Sequence, residues 1–285
     1  MLDRLALLSK VFAVDVCAYA IMSNHYHLVV HVDQQRANAL TAQQVIDRWS
    51  VLFRVPLLIQ RWQSGEATPA ERRAAEQMVR LWRSRLCDVS WYMRCLNEYL
   101  ARRANAEDDC TGRFWEGRFK SQALLDDTGL LTAMAYVDLN PVRAGMATTL
   151  EASDFTSIQA RIAAVGRDAT PTSSTGNPPV KLLPFKEQAH RSPHLPFTLN
   201  DYLRLVDWTG RRVRKAKHGH IDAAQPPILE NLKIDHEAWQ AMMQPGGNRF
   251  GRALGPLDRL RLHARTLGQS WIRGLKQAAK LYRFA

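Results

Sequence analysis

The order of elements readable from the sequence predicts an α+β fold: a ferredoxin-like antiparallel sheet with packed helices, followed by a basic, mainly helical extension. Three observations predict it. A helix-like opening runs directly into two short apolar stretches separated by a two-residue break, the pattern of a hairpin. Several stretches with helical spacing and charged faces then extend to about residue 140. Finally, TPTSSTGNPP at 170–179 has linker composition and precedes a segment that carries most of the net charge.

Leu2 to Phe12 mixes Asp3, Arg4 and Lys10 with apolar residues, which suits an amphipathic helix rather than a secretion signal. Val16 to Met22 is a continuous small or apolar run, as expected of a strand covered on both faces. After the Ser23-Asn24 break, His25 to Val32 reads as a second strand, paired antiparallel through a tight turn. Ala39–Phe53, Pro69–Leu86 and Ser90–Asn105 are expected helices. Thr111–Leu125, with Gly112 and Gly117 among aromatics, suggests bent extended structure. Asp126–Asn140 is expected to be a helix that stops at Pro141, because the residue before proline avoids helical geometry. Arg259–Lys280 adds a basic helix. In this reading the first strand of a ferredoxin-like sheet is absent, since Met1 opens directly into the helix.

Composition narrows the function classes. Hydrophobic residues make up 46% of the 285, enough for a packed core. No apolar run approaches the roughly 20 residues a bilayer crossing needs, so no membrane partner is expected. Cys17, Cys87, Cys95 and Cys110 form no CxxC pair and suit reduced thiols in a cytoplasmic protein. The net charge of +12 is unevenly placed: residues 1–179 hold 20 Lys and Arg against 19 Asp and Glu, and residues 180–285 hold 19 against 8. Excess positive charge of that kind attracts a polyanion by neutralising phosphates. The expected domains are a catalytic region at 1–165, a Pro/Ser/Thr-rich linker at 166–197 and a basic region at 198–285 that binds DNA.

The informative residues begin with Ser23-Asn24-His25-Tyr26-His27-Leu28-Val29-Val30. Strand side chains alternate, so His25 and His27 share a face. Two neighbouring imidazoles suit one divalent cation, but a pair of polar residues on a solvent-facing strand gives the same spacing. These two and His31 are the only histidines before residue 180. His31 lies roughly 13 Å further along the strand and reads as a surface residue. On a helix, Tyr136 and Asn140 are one turn apart on one side. An amide oxygen at Asn140 suits Mg²⁺ or Mn²⁺, although a half-buried aromatic and a helix cap would look the same. Arg113, Trp115, Arg118 and Lys120 interleave cations with aromatics, as in single-strand binding or in a strand with a buried and a solvated face. Arg143 lies just beyond the helix, near a phosphate or solvating the helix end. The densest basic run holds Arg211, Arg212, Arg214 and Lys215; the His218-Gly219-His220 that follows lacks strand residues and is not read as a metal site.

SNHYHLVVHV resembles the HUH motif of the IS200/IS605-like Y1 transposases, and AYVDLNPVRAG resembles their nucleophile helix. GRFWEGRFKSQALLDD at 112–127 is similar to the branch of REP-associated tyrosine transposases, so the likeness spans about Leu2 to Ile162. The resemblance implies a metal-dependent endonuclease and strand transferase that acts in DNA transposition and recombination on single-stranded or hairpin DNA. It implies His25, His27 and Asn140 as metal ligands, Mg²⁺ or Mn²⁺ as cofactor and Tyr136 as nucleophile. Asp138 stands where many relatives have histidine, yet it points about 200° around the helix from Tyr136. The family contains dimers, so both a monomer and a homodimer fit. Because its relatives begin with a strand, the expectation extends to a truncated start and to an inactive, domesticated transposase that only binds DNA. A phosphoesterase using water in place of Tyr136 is the third alternative.

Overall fold

The computed structural model describes residues 1–167, 180–188, 193–215, 226–244 and 250–282. The segment 170–179 and His218–His220 lie outside them. Helix α1 (Leu2–Val11) leads into a hairpin of β1 (Val14–Ile21) and β2 (Tyr26–Val32), then helices α2 (Gln34–Ala39), α3 (Ala42–Ser50), α4 (Leu57–Gln63), α5 (Pro69–Arg85) and α6 (Val89–Glu107). Strand β3 (Ala123–Leu124) precedes α7 (Asp127–Asp138), α8 (Asn140–Arg143) and α9 (Ser157–Arg167). The C-terminal third supplies α10 (Leu199–Lys215), α11 (Pro227–Asn231), α12 (His236–Met243), β4 (Ala253–Leu254), α13 (Leu257–Thr266) and α14 (Leu275–Leu281). The class is α+β and mostly helical, with a small antiparallel hairpin. Among the described residues, no helix is long and apolar enough to cross a membrane.

The hairpin follows the expected pattern. β1 is buried at Val14 and from Val16 to Ala20, and its turn closes through Met22 N–H donating to His25 O at 2.9 Å. Its other edge makes single bridges, Ala20 with Thr156 and Val16 with Leu182. The expected extended run at 111–125 shrinks to β3, which pairs in parallel with β4 through Ala123–Ala253 and Leu124–Leu254.

The chain forms two compact units. One comprises Met1–Val16, Val30–Phe119 and Ser174–Leu182; the other comprises Cys17–Val29, Lys120–Ser173 and Leu183–Ala285. In the first, α1 packs on α3 and α6, and α5 on α2, α3 and α4. Stacked aromatics organise it: Trp49 lies 5.2 Å from Trp82 and 4.4 Å from Phe53. Of the expected helix over Ala39–Phe53, Ala42–Ser50 forms α3, which Thr41 starts with a capping box to Gln44, while Ala39 ends the separate α2.

In the second unit, α7 shares one core with α10, α12 and α14, including the fully buried Leu131, Met134, Tyr202 and Trp239. Residues 183–285 therefore do not stand apart from 120–167 as the boundary at 166–197 suggested. Linker-like composition does not decide whether the chain beyond it packs back. Gly129 in the first turn of α7 makes close approach practical: a Cβ there would meet Leu254 O at 2.9 Å. The expected basic helix over Arg259–Lys280 is interrupted by Gly268 (φ +67) and Gly274 (φ +108), left-handed positions that suit glycine.

Candidate active site

The second unit carries the residues of chemical interest. His25 sits at the mouth of the hairpin, exposed, with Nδ1 2.7 Å from Asn24 Oδ1. His27, in β2, is half-buried, and its ring centroid lies 5.1 Å from that of His25. The two imidazoles thus lie side by side, His25 just before the first residue of β2. Burial, with the neighbouring charges of His25 and Arg143, pulls the pKa of His27 down to about 4. At neutral pH its ring is therefore uncharged, the state in which imidazole binds a cation. His31, in the other unit, is 3.4 Å from Asp15 Oδ2 and has a 42% exposed side chain, in keeping with a surface residue.

Tyr136 meets His27 of this pair. Its ring is perpendicular to that of His27, with centroids 6.3 Å apart. The helix beneath it departs from expectation. α7 ends at Asp138, Leu139 forms a one-residue break, and the chain resumes as α8 with Pro141 in its first turn. Proline has no N–H to extend the ladder, but the first turn of a new helix needs none there. Arg143 fills the gap: its Nη1 donates to Tyr136 O at 3.4 Å, and its guanidinium lies 3.7 Å from the Tyr136 ring centroid. Asn140 opens α8, is 8% exposed, and has an Nδ2 that is buried without a hydrogen-bond partner. Rotating that amide to present Oδ1 breaks no hydrogen bond made by the nitrogen.

Asp138 lies away from this cluster, as its angle on the helix required. It is fully buried and accepts hydrogen bonds from Ser157 Oγ (2.5 Å), Tyr202 Oη (2.5 Å) and Ile158 N (3.0 Å). Burial pushes its pKa up to about 6, opposed by the two hydroxyls and by the charge of Arg161. Arg161 itself donates through Nη2 to Cys17 O and Leu183 O. Sequence reasoning missed Ser157, Arg161 and Tyr202. The available signal was a carboxylate in an apolar helix, which must be paired when buried.

The basic residues fare unequally. Arg113, Arg118 and Lys120 are exposed. Trp115 is half-buried and its Nε1 donates to Asn97 O at 3.0 Å, so it anchors the loop to α6 while Phe114, 44% exposed, faces solvent. Arg211 is paired with Asp207 at 2.9 Å, and the Arg212 guanidinium lies 4.5 Å from the Trp208 ring centroid. Arg214 and Lys215 continue α10, with side chains outside the described residues.

Among the described residues, no group of three or more His, Cys, Asp or Glu is placed to hold a metal ion. The cluster that the geometry shows is the His25–His27 ring pair, with Tyr136 against His27 and Arg143 against Tyr136. Comparison with family models, curated proteins and solved structures gives no match.

Proposed function

We propose that this chain is a single-stranded DNA endonuclease and strand transferase of the Y1 transposase kind, working through a 5′-phosphotyrosine. In this reading the α+β class takes its finer form, a ferredoxin-like HUH arrangement. One observation carries it: the His27 and Tyr136 rings, from motifs far apart in sequence, lie 6.3 Å apart. In the step proposed, Tyr136 Oη attacks the phosphorus, a P–Oη bond forms and the P–O3′ bond breaks. The phenolic proton is lost and the departing 3′ oxygen gains one. The bond energy is conserved, so the reverse attack rejoins DNA without ATP. Arg143 holds the tyrosine ring from one side and adds positive charge where phosphate charge develops. A Mg²⁺ or Mn²⁺ ion held by His25, His27 and Asn140 would supply Lewis-acid polarisation of the scissile phosphate.

The test is a cleavage assay with labelled hairpin and single-stranded DNA, with and without EDTA. A metal-dependent covalent adduct on a denaturing gel is expected, lost at least a thousandfold in Tyr136→Phe with the fold intact. Cleavage that persists in Tyr136→Phe would transfer the role of nucleophile to water and sink the proposal. A second reading, a non-catalytic DNA-binding relative, is favoured by the presence of only two imidazoles in the site. It predicts salt-sensitive binding and no adduct under any metal.

A further inference from the structure

A second basic site lies in the other compact unit, on residues that no motif considered so far contains. Helix α6 places Arg94, Glu98 and Arg102 in one i,i+4 row and Cys95, Tyr99 and Arg103 in the next. Together with Arg4 of α1 and Leu52 and Phe53 beyond α3, these residues line an open groove of roughly 570 Å³. Four arginines and one glutamate leave the lining at net +3. Arg4 is fixed by hydrogen bonds to Cys95 O at 3.3 and 3.2 Å, with its guanidinium 4.8 Å from the Tyr99 ring centroid. The others are solvent-facing but ion-paired, Arg94 and Arg102 with Glu98 and Arg103 with Glu107 at 2.9 Å, their side chains 62%, 78% and 59% exposed.

We infer that this groove binds a single strand of nucleic acid, its cations following the phosphates and its aromatics taking unpaired bases. The arrangement is linear: Arg94 to Arg103 covers about 13 Å along the helix by helical rise, which suits a chain of phosphates better than a compact anion. Tyr99, with Arg4 over its ring and Arg103 at its hydroxyl, and Phe53, stacked on Trp49, are the half-buried rings of the lining. Stacking on aromatic rings is the sequence-tolerant way to hold unpaired bases. Glu98 occupies the place of a phosphate, paired to Arg94 at 3.8 Å and also to Arg102. Exposed pairs of this kind hold weakly, so a polyanion can displace the carboxylate. The inference does not depend on the Tyr136 chemistry.

The test uses the full chain and a short oligothymidylate carrying 5-iodouracil, photocrosslinked and mapped by peptide mass spectrometry. Crosslinks are expected at Tyr99 or Phe53. R94Q/R102Q/R103Q should lower them about tenfold and flatten the log–log salt dependence by about 2, at roughly 0.7 per single-strand phosphate contact. E98Q should raise them, a gain that misfolding cannot produce. Tyr136→Phe should leave them unchanged, so failure of the nuclease reading stays distinguishable. Absence of crosslinks at both aromatics, their persistence in the triple variant, or equal displacement by a polyglutamate peptide would each overturn the inference.

Discussion

The Asp138 carboxylate on one side of helix α7 is fully partnered, although Arg161 Nε beside it is not, whereas several buried polar atoms around Tyr136 lack partners. Towards Asp138, both carboxylate oxygens are used, and the partners come from α9 and α10. Towards Tyr136, capacity is left over. Thr132 Oγ1, one turn before the tyrosine, and Asn140 Nδ2, one turn after it, are buried without hydrogen-bond partners, as is Arg143 Nε. Buried polar atoms ordinarily find partners, and those that do not need an explanation. A satisfied network fixes structure, whereas an unsatisfied one keeps donors for something that arrives. On that physical ground the fully bonded Asp138 carboxylate reads as scaffolding, and the unpartnered atoms around Tyr136 are where the proposed function needs them.

The sharpest way to break this comparison is Asp138→Ala. It strips the acceptor from the buried Tyr202 and Ser157 hydroxyls and removes the countercharge sensed by Arg161. Removing one partner from such a buried group costs on the order of 3–5 kcal/mol of unfolding free energy. Denaturant unfolding measures it directly. A loss below about 1 kcal/mol would mean that the network does not hold the unit together, and the contrast between the two sides would fail.

A pH titration sharpens the same contrast. An unfolded aspartate titrates near pH 4, while folded Asp138 is held at about 6 by burial. Its contribution to stability is therefore full below about pH 4 and lost as pH rises through about 6, by up to roughly 3 kcal/mol. His27 runs the other way. Its folded pKa of about 4 lies below the unfolded value of about 6.5, so its contribution is present above that value and lost on acidification. The two offset one another in the wild type. Asp138→Asn removes the first alone, so acidification from pH 6.5 to 4 should destabilise this variant more steeply than the wild type. Urea midpoints in EDTA are the readout, and parallel profiles would show that Asp138 does not carry the raised pKa.

Much of the first two hundred residues' organisation was legible because it is written locally. The hairpin, α1, α5 and α6 rest on periodicity and turn residues, and His25 and His27 are two residues apart, although β2 begins only at Tyr26. The splits were local too, but the signals went unused: the Thr41-Gln44 capping box, and Pro141 as the first turn of a new helix rather than the end of one. What no local pattern carries is long-range pairing. Tyr202 joins Asp138, and Tyr282 Oη donates to Asp126 at the start of α7, across stretches whose composition suggested separation. The groove on α6 was overlooked for the same reason, since Arg4 and Phe53 meet that helix only in three dimensions.

Arg143→Lys probes the Tyr136 side with the smallest change of shape. The guanidinium is planar, lies 3.7 Å from the Tyr136 ring centroid and donates to the carbonyl of the same residue. Lysine keeps the charge but loses the flat stacking surface and the fork of donors. If Arg143 merely solvates the end of α8, the exchange should cost little, because a cation near a helix C-terminus is favourable in either form. If it orients the tyrosine against an incoming phosphate, the adduct should form about tenfold to a hundredfold more slowly, with unfolding free energy within about 0.5 kcal/mol of wild type. Single-turnover adduct formation separates these outcomes. An unchanged rate would return Arg143 to the helix end.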